Sequence, residues 1–217
     1  INGTGSHILE IEGVSKLNGC THEVMPDRIE AATYAIAAAI TEGEIILNNA
    51  RAEHLGSFIN VMQESGVMIE ALSSKQMRVG LIGSELNSLE IITLPYPGFP
   101  TDLQAQMMTL NCLSEGSCSI QETIFENRFM HVPELARMGA DIQLQNNNSV
   151  ALVQGVAELV GAPVMATDLR ASASLVIAGI AARGETTVDR VYHIDRGYQQ
   201  IEERLQRLGV DIRREAS

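Results

Sequence analysis

Met165-Ala166-Thr167-Asp168-Leu169-Arg170-Ala171-Ser172-Ala173-Ser174 reads as the opening of a helix. Asp168 can accept from the first free backbone N–H groups, and the following run, Leu175 to Ala182, is small, apolar and helix-permissive. The same design occurs twice earlier in the chain. Met25-Pro26-Asp27-Arg28-Ile29-Glu30 precedes Ala31–Ile40, and Pro100-Thr101-Asp102-Leu103-Gln104 precedes Ala105–Leu113. Each aspartate therefore fronts a nearly charge-free helix that must be buried on all sides.

Working outward, the punctuation around these helices keeps step. Gly43 and Gly66, Gly116 and Gly139, and Gly184 and Gly209 are spaced 23, 23 and 25 residues apart. Each pair brackets a strand and an amphipathic helix: Glu44–Asn48 with His54–Glu64, Ser117–Thr123 with Val132–Met138, and Thr186–Val191 with Tyr198–Leu208. Val67-Met68-Ile69-Glu70, Ala140-Asp141-Ile142-Gln143 and Val210-Asp211-Ile212-Arg213 follow the closing glycines. Strands at Ile8–Ile11, Ser88–Leu94 and Val150–Gln154 are expected to open the units. This register predicts three internal repeats of a βαβαββ type, spanning residues 8–80, 81–145 and 146–217. The fold class is α/β (α+β), with three buried helices inside and sheets outside.

The totals agree with one globular body. The chain has 217 residues, 45% hydrophobic and 19% charged, enough for a sizeable core. A net charge of -12 repels a phosphate backbone and argues against nucleic acid as a partner. The apolar runs Ala31–Ala39 and Leu175–Ala182 fall well short of the roughly 20 residues needed to span a bilayer. Cys20, Cys112 and Cys118 lack metal-type spacing and read as reduced thiols in a reducing, cytoplasmic compartment, with Cys112 and Cys118 read as apolar filler ahead of the alternative of a disulfide between them. The chain opens abruptly on Ile1-Asn2-Gly3-Thr4-Gly5, as though continued from something longer. Gly3 and Gly5 are too short a fragment for a nucleotide fingerprint. His7, His22 and His54 read as surface or packing residues, and no metal cluster is expected.

Candidate chemistry gathers in the connectors. In Pro97-Gly98-Phe99-Pro100-Thr101-Asp102 the prolines stiffen the approach to a carboxylate. That carboxylate is either a helix cap or a group that handles a substrate hydroxyl proton. Asp168, with Arg170 close behind, carries the same two readings. Phe125-Glu126-Asn127-Arg128-Phe129-Met130-His131 concentrates aromatic, amide, guanidinium and imidazole groups between a strand and a helix. Arg128 can fork onto a carboxylate or phosphate, or form a structural ion pair. Arg196, in Tyr192-His193-Ile194-Asp195-Arg196-Gly197-Tyr198, stands beside a helix start, which favours an anion. The residues alone thus point to a small anionic ligand.

At Phe99–Gln106, Glu122–Leu135, Met165–Ser174 and His193–Tyr198 the sequence resembles the UDP-N-acetylglucosamine enolpyruvyl transferases, over essentially its whole length. The resemblance implies one lobe, the carboxy-terminal one, of a two-lobed enzyme. That enzyme transfers the enolpyruvyl group of phosphoenolpyruvate to UDP-N-acetylglucosamine with release of phosphate, in peptidoglycan synthesis. It implies that Asp102 handles the sugar hydroxyl proton beside Ile124 and Phe125 at the nucleotide sugar. Arg128, Asp168, Arg170 and Arg196 would surround phosphoenolpyruvate and the leaving phosphate, while Asp27 and Arg28 serve structure first. No cofactor or metal is implied. The partner is the amino-terminal lobe, which bears the family's cysteine general acid and fosfomycin target, so the chain by itself is expected to be inactive. Two alternatives stand beside this reading: a non-catalytic ligand-binding or assembly module of the same fold, and an enolpyruvylshikimate phosphate synthase-like transferase.

Overall fold

The computed structural model describes residues 1–4, 6, 8–83 and 85–215; Gly5 and His7, named above, lie outside them. Three helices form the centre: α1 (Arg28–Ile40), α3 (Gln104–Cys112) and α5 (Leu169–Ala181). They pack against one another. Ala32, Ala35 and Ala39 on α1 and Ala173 and Ala178 on α5 are fully buried, so backbones can approach closely. Every residue of α3 is buried, including Gln104, Gln106, Thr109 and Asn111. The centre is therefore partly polar, and Thr33 Oγ1 accepts from Gln106 Nε2 at 3.2 Å while bonding the Tyr198 hydroxyl at 2.8 Å.

Sheets surround this core. β1 (Glu44–Asn48), β2 (Val67–Ser73) and β3 (Gln76–Leu81) form an antiparallel sheet in the order β1-β3-β2 against α1. β4 (Ile91–Ile92), β5 (Ser117–Gln121), β6 (Asp141–Gln145) and β7 (Val150–Gln154) form a sheet in the order β4-β5-β7-β6 against α3. β8 (Pro163–Met165) and β9 (Thr187–Asp189) pair in parallel, and α5 lies on β9. The amphipathic helices α2 (Gly56–Glu64), α4 (Val132–Arg137) and α6 (Ile201–Arg207) bury one stripe each, such as Phe58 with Met62, and Ile201 with Leu205. Among the described residues no helix is long and apolar enough to cross a membrane.

Several expected elements differ. Ile8–Ile11 is not a strand: only Glu10 pairs, with Asn2, and Ile8, Leu9 and Ile11 are exposed. One bridge with no second layer to cover its apolar side chains cannot sustain a ladder. Ser88–Leu94 shrinks to the two residues of β4. β7, expected to open the third repeat, hydrogen-bonds instead between β5 and β6, because Ala151 and Val153 complete the apolar face made by Cys118 and Ile120. The second helix of the first repeat begins as a 3₁₀ turn, Ala52–His54, before α2.

Candidate functional site

Asp27 and Asp168 are N-caps. Asp27 Oδ1 accepts from the backbone N–H of Ile29 at 2.8 Å, and Asp168 Oδ1 accepts from Arg170 and Ala171 at 2.8 and 3.0 Å. Asp102 is not a cap. It sits within a 3₁₀ turn, Thr101–Leu103, that precedes α3, and makes no capping bond there. Its Oδ1 accepts instead from Arg128 Nη2 at 2.9 Å and lies 3.4 Å from Arg170 Nε. Burial alone would raise the Asp102 carboxyl, but Arg170 and then Arg128 outweigh it and hold the group below its ordinary 3.8. An ionised carboxylate is thus fixed between two guanidiniums at the rim of the helical core.

Arg128 reaches the rim from the connector between β5 and α4, and Arg170 from the start of α5. Asn127 adopts a left-handed backbone (φ 54), which asparagine tolerates, and reverses the chain just before Arg128. The Arg128 guanidinium carbon then lies 4.8 Å from the centroid of the Phe125 ring. Arg170 is in the first turn of α5, and its Nη1 is buried without a hydrogen-bond partner. Burial would lower the Arg170 pKa, but the Tyr198 hydroxyl and Asp102 beside it raise it, so the cation persists. His131, 2% exposed, sits next to both Asp168 and Arg128, with Nε2 unpartnered. Its burial pushes the imidazole down to about 4.

Arg196 is not joined to this group by an ion pair or a side-chain hydrogen bond among the described residues. Ile194 and Tyr198 seat its loop in an apolar cluster with Tyr34, Ala173 and Val176. A Cβ at Gly197 would come within 2.8 Å of Leu169 Cδ2, so glycine lets the loop close onto the first turn of α5. The Arg196 side chain is exposed and, among the described residues, makes no ion pair. Ile124 and Phe125 are exposed at the same rim. The arrangement thus joins Asp102, Arg128 and Arg170 directly, sets Asp168 against them through α5 and His131, and leaves Ile124, Phe125 and Arg196 facing outward. No cluster of histidine, cysteine, aspartate and glutamate suited to a metal occurs among the described residues.

Sequence reasoning gave Glu122 and Thr101 no role, yet both are bonded into this rim. The signal was present: Cys118, Ile120 and Glu122 alternate inward, and a carboxylate occupies a position where an apolar residue is due.

Central helices wrapped by sheets thus collect two cations and one carboxylate at a rim. The chain belongs to the EPSP synthase (3-phosphoshikimate 1-carboxyvinyltransferase) family, whose profile matches residues 1–205. It is 54% identical over 214 residues to a UDP-N-acetylglucosamine 1-carboxyvinyltransferase of Magnetococcus marinus, covering 99% of this chain and 50% of that one. A protein of the same name from Gluconacetobacter diazotrophicus is 55% identical over 214 residues, again 99% and 50% of the two chains. The chain therefore spans about half the length of these relatives. The fold is similar to that of the enolpyruvyl transferase NikO from Streptomyces tendae, with TM-score 0.80 and 27% identity, covering 88% of this chain and 44% of that one. It is also similar in fold to EPSP synthase from Acinetobacter baumannii, with TM-score 0.68 and 17% identity over 87% and 46%.

Proposed function

We propose that this chain is the carboxy-terminal lobe of a cytoplasmic UDP-N-acetylglucosamine 1-carboxyvinyltransferase acting in peptidoglycan synthesis. The observation that carries the reading is the use of the three helix-opening aspartates. Two are spent on caps, and Asp102 alone is free for chemistry, held between Arg128 and Arg170.

In this reading a hydroxyl of the amino sugar adds to carbon 2 of phosphoenolpyruvate. Its proton passes to Asp102, and carbon 3 takes a proton from the other lobe. The resulting tetrahedral adduct loses phosphate and a carbon 3 proton, which restores the double bond. Asp102 paired with two arginines is a weak base. When Arg128 and Arg170 turn to the carboxylate and phosphate of phosphoenolpyruvate, together with Arg196, Asp102 is released and its basicity rises as the sugar hydroxyl arrives. The same cations offset the charge that develops on the leaving phosphate. Ile124 and Phe125 offer an apolar rest for the nucleotide sugar, and Asp168 orients the first turn that carries Arg170. The chain is built of three repeats, and the missing lobe supplies the general acid that fosfomycin attacks.

The test is phosphate release with both substrates. This chain alone should release none. Joined to the amino-terminal half of the Magnetococcus marinus relative, it should turn over UDP-N-acetylglucosamine and not shikimate 3-phosphate. Turnover by the isolated chain, or preference for shikimate 3-phosphate in the joined protein, would overturn the proposal.

A further inference from the structure

Glu122 directly follows β5 with its side chain buried, 5% exposed, and no cation bonds it among the described residues. Four donors converge on it instead. Its Oε1 accepts from Thr93 Oγ1 at 2.8 Å and from the backbone N–H of Ile124 and Phe125 at 2.8 and 3.2 Å. Its Oε2 accepts from Thr101 Oγ1 at 2.8 Å. Thr93 is itself fully buried, accepts from the Thr123 N–H at 2.9 Å through its hydroxyl, and its carbonyl accepts from the Thr123 hydroxyl. One carboxylate therefore holds both ends of the connector from β4 to α3, and the first residues of the connector from β5 to α4.

These two connectors carry the site. Thr101 directly precedes Asp102, and Phe125 underlies the Arg128 guanidinium that bonds Asp102. Glu122, Thr101, Asp102, Arg128 and Phe125 thus form a closed ring of covalent and non-covalent links. Charge-assisted hydrogen bonds are shorter and about twice as strong as neutral ones, which suits a fixed spacer. The second oxygen has a single partner, so the link to Thr101 can be cut without touching the other three.

We propose that Glu122 is a positioning residue, which sets the spacing between Asp102 and the Ile124–Phe125 strip and so the fit of the nucleotide sugar over its base. This rests on the proposed transferase reading. Glu122 itself stays out of reach of substrate, beneath the two loops.

The experiment uses the joined two-lobe protein and the variants Glu122→Ala, Glu122→Gln and Thr101→Val. Glu122→Ala should raise KM for UDP-N-acetylglucosamine about tenfold and lower kcat on the order of 10²-fold, the scale of a 1 Å misplacement. KM for phosphoenolpyruvate should rise less than that, about threefold, because Arg170 and Arg196 lie on α5 and its neighbouring loop and only Arg128 lies on the clamped connector. Glutamine keeps an acceptor for Thr93, Ile124 and Phe125, while its amide can donate to Thr101, so Glu122→Gln should recover most of the loss. Thr101→Val, which keeps the Ile124–Phe125 arm, should lower kcat with KM for the nucleotide sugar nearly unchanged. It decides the matter if the alanine variant does not fold. Equal rises in both KM values, or a silent Thr101→Val, would overturn the proposal. Amide exchange at Ile124 and Phe125 in the isolated chain gives a readout that does not depend on turnover. Acceleration there in Glu122→Ala is expected even if the transferase reading fails, and its absence overturns the clamp.

Discussion

Arg170 Nε lies 3.4 Å from the same Asp102 oxygen that accepts from Arg128 at 2.9 Å, so one carboxylate oxygen serves a guanidinium from the β5–α4 connector and another from the first turn of α5. The pairing is part-exposed and contributes little to stability in water. Its consequence is electrostatic. In a chain of net charge -12 it keeps two cations at one rim without leaving them mutually repelled while the site is empty.

Asp102→Asn keeps the shape and removes the charge. Turnover of the joined protein should fall by about 10²- to 10⁴-fold, the range of a lost acid–base group. Binding of the anionic substrate should be retained or tightened, because Arg128 and Arg170 lose a competitor. The carboxyl is held below 3.8, so the stability it contributes is present above the unfolded value and is lost only as pH falls through the lower folded value. The acid limb of a binding curve for inorganic phosphate above pH 5 should therefore be the same in wild type and variant. Titration calorimetry across pH 5 to 8 checks this.

His131 makes the opposite kind of prediction, because its effect falls within an accessible pH window. Unfolded, it takes a proton near 6.5; folded, burial delays that to about 4. Between those values the unfolded chain binds more protons, so stability is full above pH 6.5 and declines as pH drops towards 4. The decline attributable to this residue amounts to at most about 3 kcal/mol, at about 1.4 kcal/mol per pKa unit. His131→Gln cannot take up a proton on unfolding. Urea unfolding at pH 7 and pH 4.5 should show a clearly smaller loss for the variant than for wild type, and equal losses would contradict the assignment.

What could be read from sequence follows the range of the forces involved. Capping by Asp27 and Asp168 involves groups two and three residues away, so local sequence suffices to read it. Asp102 stands in the same kind of sequence but is claimed by Arg128, 26 residues on, and by Arg170, on another helix. Local sequence leaves the cap and the proton-handling role both open, and the likeness of its surrounding motif to a known family chose between them. Strand pairing fails in the same way. The alternation in Val150–Gln154 marks a strand but not its neighbours, and the fit of Ala151 and Val153 beside Cys118 and Ile120 is a tertiary fact. β3 carries the alternation Met77, Arg78, Val79, yet Gly80 lowers its strand propensity, and it escaped prediction.

The cysteines offer a check that needs no substrate. Burial, with Cys118 adding to it, pushes the Cys112 thiol up to about 12, and burial with Glu90 nearby pushes Cys118 up to about 11. Thiolate is the reactive form, so both should be inert at pH 8 in the native chain. Cys20 is exposed. Titration with a disulfide reagent should modify one thiol per chain natively and all three in 6 M urea. Rapid native modification of a second thiol would mean that the β5 face opens more readily than its packing implies.

The two capping aspartates separate fold from function. Asp27→Ala and Asp168→Ala each remove an acceptor for two helix N–H groups, at a cost of about 1 kcal/mol. For a chain of this size that lowers Tm by roughly 2–4 °C. If both were merely structural, the joined protein would lose activity equally little in either case. Asp168 differs in that the turn it holds carries Arg170, and His131 beside it backs Arg128. Asp168→Ala should therefore cut kcat by tenfold or more at temperatures where the protein remains folded, whereas Asp27→Ala should leave kcat within about twofold. Thermal melts paired with phosphate-release assays on the two variants decide it, since matched melting losses with unmatched turnover losses arise only if the α5 opening belongs to the site.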